Sequence, residues 1–362
     1  MKKYAFLSLV GATILATTFT ACKSDKDPQP TVNFDDLKVQ VLKDFGTTVG
    51  NPSYNDFEAK ATTLKTAVQT LSTTPTQANL SAARTAWQAV RVVWEQSEGF
   101  LIGPVEDDNY DPYMDTWPTD HNAMEALLAS NQALTADYLS NVNTDAELTL
   151  RGFHPLEYLL WGLDGNRQAT TFTQREKDYM VALATDILNN VSAMKTKSAT
   201  FFTTELAQPG VTGSRYTSKH DALEALANAL TDIISEVGES KMVEPFTPNA
   251  DSTVTESPYS HNSVIDFKNN IMGAKNTYTC TYGATSGKSL SDLVNANNAA
   301  LDLDIKSKFD VAINSFDGIT TTFESAVYNQ RSQVQNTITA LTNLKAAIDG
   351  KLVPYIQQYV KD

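Results

Sequence analysis

The chain has 362 residues and a formal net charge of −14, with 28 Lys and Arg against 42 Asp and Glu. So acidic a surface repels nucleic acid and anionic lipid and excludes both as electrostatic partners; it suits the collection of cations and, equally, plain solubility. The only cysteines are Cys22 and Cys280, a pair too small for a disulfide framework.

Lys2 and Lys3 precede an apolar stretch from Tyr4 to Phe19. It is shorter than the roughly 20 apolar residues a membrane span needs. Residues 1–21 therefore read as a secretion signal. In Phe19-Thr20-Ala21-Cys22 a bulky apolar residue and two small ones stand before a cysteine, which resembles a bacterial lipobox. Cys22 is thus the expected lipidation site and would anchor the chain to a membrane of the cell envelope, on a periplasmic or surface face. Acylation of Cys22 leaves Cys280 no partner for an intramolecular disulfide. Residues 22–30 form the lipidated cysteine and a charged, proline-containing tether suited to a flexible spacer. Removal of Lys2 and Lys3 with the signal makes the mature chain two charges more acidic.

Apolar residues recur at spacings of three and four in segments near 34–48, 55–73, 77–101, 173–206, 217–238, 296–327 and 331–359. In the third of these, Leu80, Ala83, Trp87, Val90 and Trp94 form one stripe. Strand signals are weak. Breaks fall at Gly103 to Pro118, at Gln208 to Ser214 and at Glu244 to Pro258. The mature length exceeds the roughly 250 to 300 residues at which single cores stop growing. An all-α chain of two helical bundles is expected, an N-terminal one over 31–210 and a C-terminal one over 211–362.

The most informative stretch is Arg151 to Gly162, RGFHPLEYLLWG. Proline favours the first helical position, so Pro155 predicts His154 as N-cap and Glu157 at the third position. An imidazole and a carboxylate at one helix mouth are a candidate pair of metal ligands; the alternative is that Glu157 caps free N–H groups. Glu98 lies four residues after Trp94, on the apolar stripe, and Glu95 lies beside it. A carboxylate facing a core is costly unless paired or bound to a cation, which makes Glu98 a candidate ligand or a partner of Arg91. The loop from Glu106 to Asp120 is rich in acids that could line a cleft, with hard oxygens suited to iron, manganese or calcium. Solvated turn chemistry explains most of them equally well. Farther on, His261, Asp266 and Asn270 are polar residues at helical spacing, and Ser260 and Ser263 read as helix-start caps.

GFHPLEYLLWG also resembles the GxHxxE motif of the imelysin-like family, with Gly152, His154 and Glu157 at the fixed positions. VVWEQSEGFLIGP, carrying Trp94, Glu95, Glu98 and Gly103, resembles a second signature of that family. Asp115-Thr116-Trp117-Pro118-Thr119-Asp120 resembles its Trp-Pro-x-Asp stretch, and Ser257 to Asn270 resembles its Ser/Asn-rich helix start. The resemblance implies an all-α fold of two helical bundles packed side by side, with a site between them. It makes His154, Glu157, Glu98 and Asp120 the candidate metal ligands, and Glu95, Asp115, Ser260 and Asp266 the candidate cleft lining. It further implies a bacterial envelope protein, accessory to uptake of iron or another divalent metal and working with a metal-transport system. The family also includes a metallopeptidase, and a scaffold for a protein or haem partner is a further alternative. The chain has no HExxH, and Tyr158 breaks the inverted form of that motif. With four histidines, any site must be rich in carboxylates, which favours binding over zinc hydrolysis and makes no catalytic residue assignable.

Overall fold

The computed structural model describes residues 33–142 and 144–361. The expected signal, Cys22 and the tether lie outside the described residues. The body, Phe34–Asp362, is one compact unit. It is built of helices, and among the described residues the only strands are Thr281–Tyr282 and Thr285–Ser286. These pair antiparallel, with Thr281 opposite Ser286 and Tyr282 opposite Thr285.

Of three long helices in the N-terminal part, Asn51–Thr73 packs on both Gln77–Ser97 and Gln174–Thr200. Each end is set by local chemistry. The Thr76 hydroxyl accepts from the Asn79 N–H, and Thr173 with Glu176 forms a reciprocal capping box. The stripe of Leu80, Ala83, Trp87, Val90 and Trp94 is buried throughout, as its period requires. In the C-terminal part the long helices are Lys219–Ser235, Ser263–Thr279, Ala299–Ser315 and Arg331–Ala347. The expected boundary at 208–214 is an exposed turn inside the compact unit. The helix expected over 296–327 is broken. Asn298 accepts from the Leu301 N–H and starts Ala299–Ser315 afresh, and Thr322 does the same for Phe323–Asn329 through the Ser325 N–H.

Helices from either side of residue 210 meet where Ser263–Thr279 crosses the end of Gln77–Ser97. The crossing is close because two glycines face it. A Cβ on Gly273 would stand 2.1 Å from the Gln96 carbonyl oxygen, and one on Gly99 would stand 2.5 Å from the Gly273 carbonyl carbon. That approach brings Asn270 onto Glu95 and Glu98.

The GxHxxE helix runs Phe153–Trp161 and starts two residues earlier than Pro155 and His154 suggest, with Gly152 rather than His154 as N-cap. Gly152 has φ 88 and ψ −154, a conformation closed to L side chains. Pro155 is tolerated at the third position because the first N–H groups of a helix have no partner within it. Just before this turn, the buried Arg151 guanidinium donates from Nε and Nη2 to the Asp186 carboxylate at 3.0 and 2.9 Å and from Nη1 to the Val142 carbonyl at 3.1 Å. Replacing Arg151 with Met strands the Asp186 charge. We expect a loss of about 3 to 5 kcal/mol of stability in denaturant unfolding, and a loss under 1 kcal/mol would mean the pair is not buried in solution.

Candidate metal centre

Five segments converge on one acidic centre. The helix Gln77–Ser97 supplies Arg91, Trp94 and Glu95, and the turn that continues it, Glu98–Phe100, supplies Glu98. The short helix Tyr110–Asp115, inside the segment expected as a loop, supplies Asp111 and Asp115. The GxHxxE helix supplies His154 and Glu157. The stretch before Ser263–Thr279 brings Glu256, Ser257 and Ser260, and that helix brings Asp266 and Asn270. Lys241 enters from the wide turn Glu236–Lys241 that ends the preceding helix.

Arg91 is the hub. Fully buried, with its guanidinium 5.1 Å from the Phe153 ring centre and 5.7 Å from that of Trp87, it pairs with Glu95 and Asp115 and lies 3.3 Å from Glu256 and 3.8 Å from Asp266. Its partner is therefore Glu95, four residues on, rather than Glu98. Asp115 also accepts from the Trp94 indole at 2.7 Å. Burial opposes its charge, but the Arg91 guanidinium and His154 outweigh burial and hold the carboxyl well below the usual range.

His154 is fully buried, with the Trp117 ring 5.1 Å away. Its Nε2 lies 3.1 Å from Asp115 and 3.9 Å from Glu256, and its Nδ1 lies 3.5 Å from Glu157. Nε2 has no hydrogen bond of acceptable geometry. Burial pushes the imidazole pKa down, yet Asp115 and Glu157 overcome it and raise it to about 9. Glu157 does not cap its own helix. Its Oε1 accepts from the Ser260 backbone N–H at 2.7 Å and the Ser260 hydroxyl at 2.6 Å, while Oε2 faces the imidazole. The HxxE pair is thus a histidine with a carboxylate steadying its far nitrogen, an arrangement typical of metal-bound histidines.

A ligand oxygen of Asp115, one of Glu256 and a nitrogen of His154 lie within 4.8 Å of one another, and so do single oxygens from Glu98, Asp111 and Asp115. The two sets share Asp115 and adjoin a cavity of about 420 Å³ lined by Glu98, Asp111, Asp115, Trp117, Lys241 and Glu256. Burial raises the Glu98 carboxyl well above its ordinary value, and burial, aided by Asp115, lifts Asp111 to about 7. The Asn270 amide donates to Glu95 and Glu98. Asp266 accepts from Ser257 at 2.7 Å and from Asn262 at 2.6 Å, and burial raises it well above the ordinary carboxylate range. It supports the centre from behind.

Asp120 is placed elsewhere. Exposed, it caps the helix His121–Ala129 by accepting from the Ala123 N–H, and belongs to neither ligand set. Ser260 serves Glu157 rather than a helix start. Ser263 is the first residue of its helix, after Asn262, and its hydroxyl accepts from the Ser257 N–H at 2.9 Å. His261 is exposed and faces Glu324 at 3.0 Å. Sequence reasoning missed Glu256 and Lys241, and it placed Asp111 among the loop acids that could line a cleft without singling it out. Glu256 directly precedes the Ser257 to Asn270 stretch, the one signal that could have found it. Lys241 carries none.

The family model described as Imelysin, a peptidase family, matches residues 50–348. The chain belongs to the imelysin family. This imelysin-family chain is similar to iron-regulated protein A of Synechococcus elongatus, with 28% identity over 357 residues, 96% of this chain and 93% of the relative. Among solved structures it is similar to an iron-regulated protein A precursor from Parabacteroides distasonis, with TM-score 0.80 and 25% identity over 90% of this chain and 95% of that one. An imelysin-like protein from Psychrobacter arcticum shares the fold, with TM-score 0.72 and 16% identity over 91% of this chain and 98% of that one. The all-helical imelysin fold is the one expected from the sequence.

Proposed function

We propose that this chain is an envelope lipoprotein that captures a divalent cation, iron foremost, through Asp115, His154 and Glu256, as an accessory to metal uptake. The observation that carries the reading is the buried His154 Nε2, which lacks a hydrogen bond, faces two carboxylates and is steadied from behind by Glu157. Oxygen ligands with one imidazole suit Fe²⁺, Mn²⁺ or Zn²⁺. The name of the Synechococcus relative supports the choice of iron. Glu98 and Asp111 would extend the oxygen set toward the cavity. A bound cation would neutralise carboxylates that burial otherwise protonates. The engagement of Glu157 by Ser260 and the full burial of His154 favour capture over peptide hydrolysis, which needs a free base beside a reachable water.

Titration calorimetry of the protein with Fe²⁺ under anaerobic conditions, and with Mn²⁺ and Zn²⁺, tests the reading; absence of stoichiometric binding for all three would sink it. Binding should also depend on pH. A proton on the imidazole, held up to about 9, and one on Asp111, held up to about 7, compete with the cation. Raising pH removes both competitors, so affinity should climb between pH 6 and 8 by up to about tenfold per unit for each proton released. Constant affinity across that range would exclude His154 as a ligand. The lipid anchor is tested separately by incorporation of labelled palmitate, expected in the wild-type chain and absent in Cys22→Ser.

A further inference from the structure

The acidic centre holds two permanent cations, and they are placed differently. Arg91 is fully buried and locked among Glu95, Asp115, Glu256 and Asp266 under two aromatic rings. Lys241 stands at the cavity wall with a partly accessible side chain. Its ammonium lies 3.3 Å from Glu256 and 3.7 Å from Glu98 on the inside, and 3.0 Å from Glu236 on the outside, whose side chain is 43% exposed. Glu256 Oε1, which Lys241 and Arg91 each meet at 3.3 Å, is also the atom nearest His154 Nε2. The lysine and a divalent cation therefore compete for one oxygen. The ammonium is a point charge on a stem with several rotatable bonds, able to turn toward Glu236 when displaced, whereas the packed guanidinium is not.

We propose that Lys241 is a displaceable internal counter-ion of the metal centre. In the empty protein it neutralises Glu98 and Glu256 and keeps the acidic cavity from being an uncompensated buried charge. When a cation enters, Lys241 gives up Glu256 and stays with Glu236 at the mouth, which it already meets at 3.0 Å, so the work of moving it out is subtracted from the metal affinity. The centre is thereby set for reversible loading and release, as a protein that passes metal onward requires. Glu236 is the receiving group, and Lys241 and Glu236 together regulate the site without ligating the metal. This role rests on the metal reading above.

The test compares the wild-type chain with Lys241→Met, which keeps the length of the stem and removes the charge, and with Lys241→Gln in case the first fails to fold. Zn²⁺ and Mn²⁺ are titrated by calorimetry, and thermal unfolding is followed with and without saturating Zn²⁺. The expected result is at least tenfold tighter binding in the variant, together with a lower unfolding temperature without metal and a larger rise on adding it. A variant that binds when the wild type is too weak to detect gives the same support. If the wild type binds and neither variant binds more tightly, the counter-ion role is overturned while the metal reading stands. If neither the wild type nor a folded variant binds, the metal reading fails and the counter-ion role falls with it. A Glu236→Gln chain should bind more weakly than wild type, and by a smaller factor when combined with Lys241→Met. An equal factor in both backgrounds would show that Glu236 acts only through its field and would overturn its role as receiving group.

Discussion

Replacing His154 with Ala is expected to weaken divalent-metal binding at least a hundredfold, with the helical content of the protein retained. The imidazole is the only nitrogen in either ligand set, and its Nε2 stands between Asp115 and Glu256. Glu157→Gln should act more mildly, by about 10- to 100-fold, the usual scale for removing the group that orients a metal-bound histidine. Its amide can still meet the Ser260 hydroxyl but no longer supplies a negative charge to Nδ1. Asp120→Ala is the control: it should leave affinity unchanged and cost about 1 kcal/mol, the scale of a lost N-cap. Equal affinity in the wild type and His154→Ala would reject the proposed centre. A large loss of affinity on Asp120→Ala would show that the 115–120 segment folds back onto the site in solution.

The second large effect is expected at Gly152. An alanine there must adopt φ near 88, and its Cβ would lie 2.1 Å from the Met114 carbonyl oxygen. Backbone strain of this kind costs about 1 to 3 kcal/mol before any overlap is counted. Relief of the overlap requires the GxHxxE helix and residue 114 to separate. We therefore expect Gly152→Ala to lose at least about 3 kcal/mol in denaturant unfolding. Because Met114 is the neighbour of Asp115, the variant should also bind metal more weakly when folded. Near-wild-type stability would mean that the close approach of the two segments is absent in solution. The glycine of the motif is thus explained by a contact with a segment nearly 40 residues earlier in the chain, and not by the turn alone.

Much of this was legible along the sequence. The helices are set by local periodicity and caps, so the stripe from Leu80 to Trp94 and the capping box at Thr173 could be read one segment at a time. His154 and Glu157 stood out through their motif, and the burial of Glu98 followed from its place on an apolar stripe. What the chain did not reveal concerns partners, above all the choice between ligand and cap that the sequence left open for Glu157. Glu157 could be read as a cap because a carboxylate near a helix start is usually one, and nothing near it in the chain reveals that Ser260, 103 residues away, takes that oxygen. Asp120 shared a motif with Asp115, yet five residues and the Trp117-Pro118 turn carry its side chain to a helix cap.

Composition and periodicity by themselves determined the acidic character and the all-α class, because both depend on residue type and short-range spacing; His154 was singled out by the resemblance of its motif to the family's. Which carboxylates meet His154 was decided only by the tertiary structure. Gly99 and Gly273 permit two helices to touch, the Gly152 turn presses the GxHxxE helix against Asp115, and Glu256 and Lys241 arrive from the second half of the chain. Coulomb interactions between buried groups depend on separation in space, and no local pattern encodes a distance between residues more than 80 positions apart.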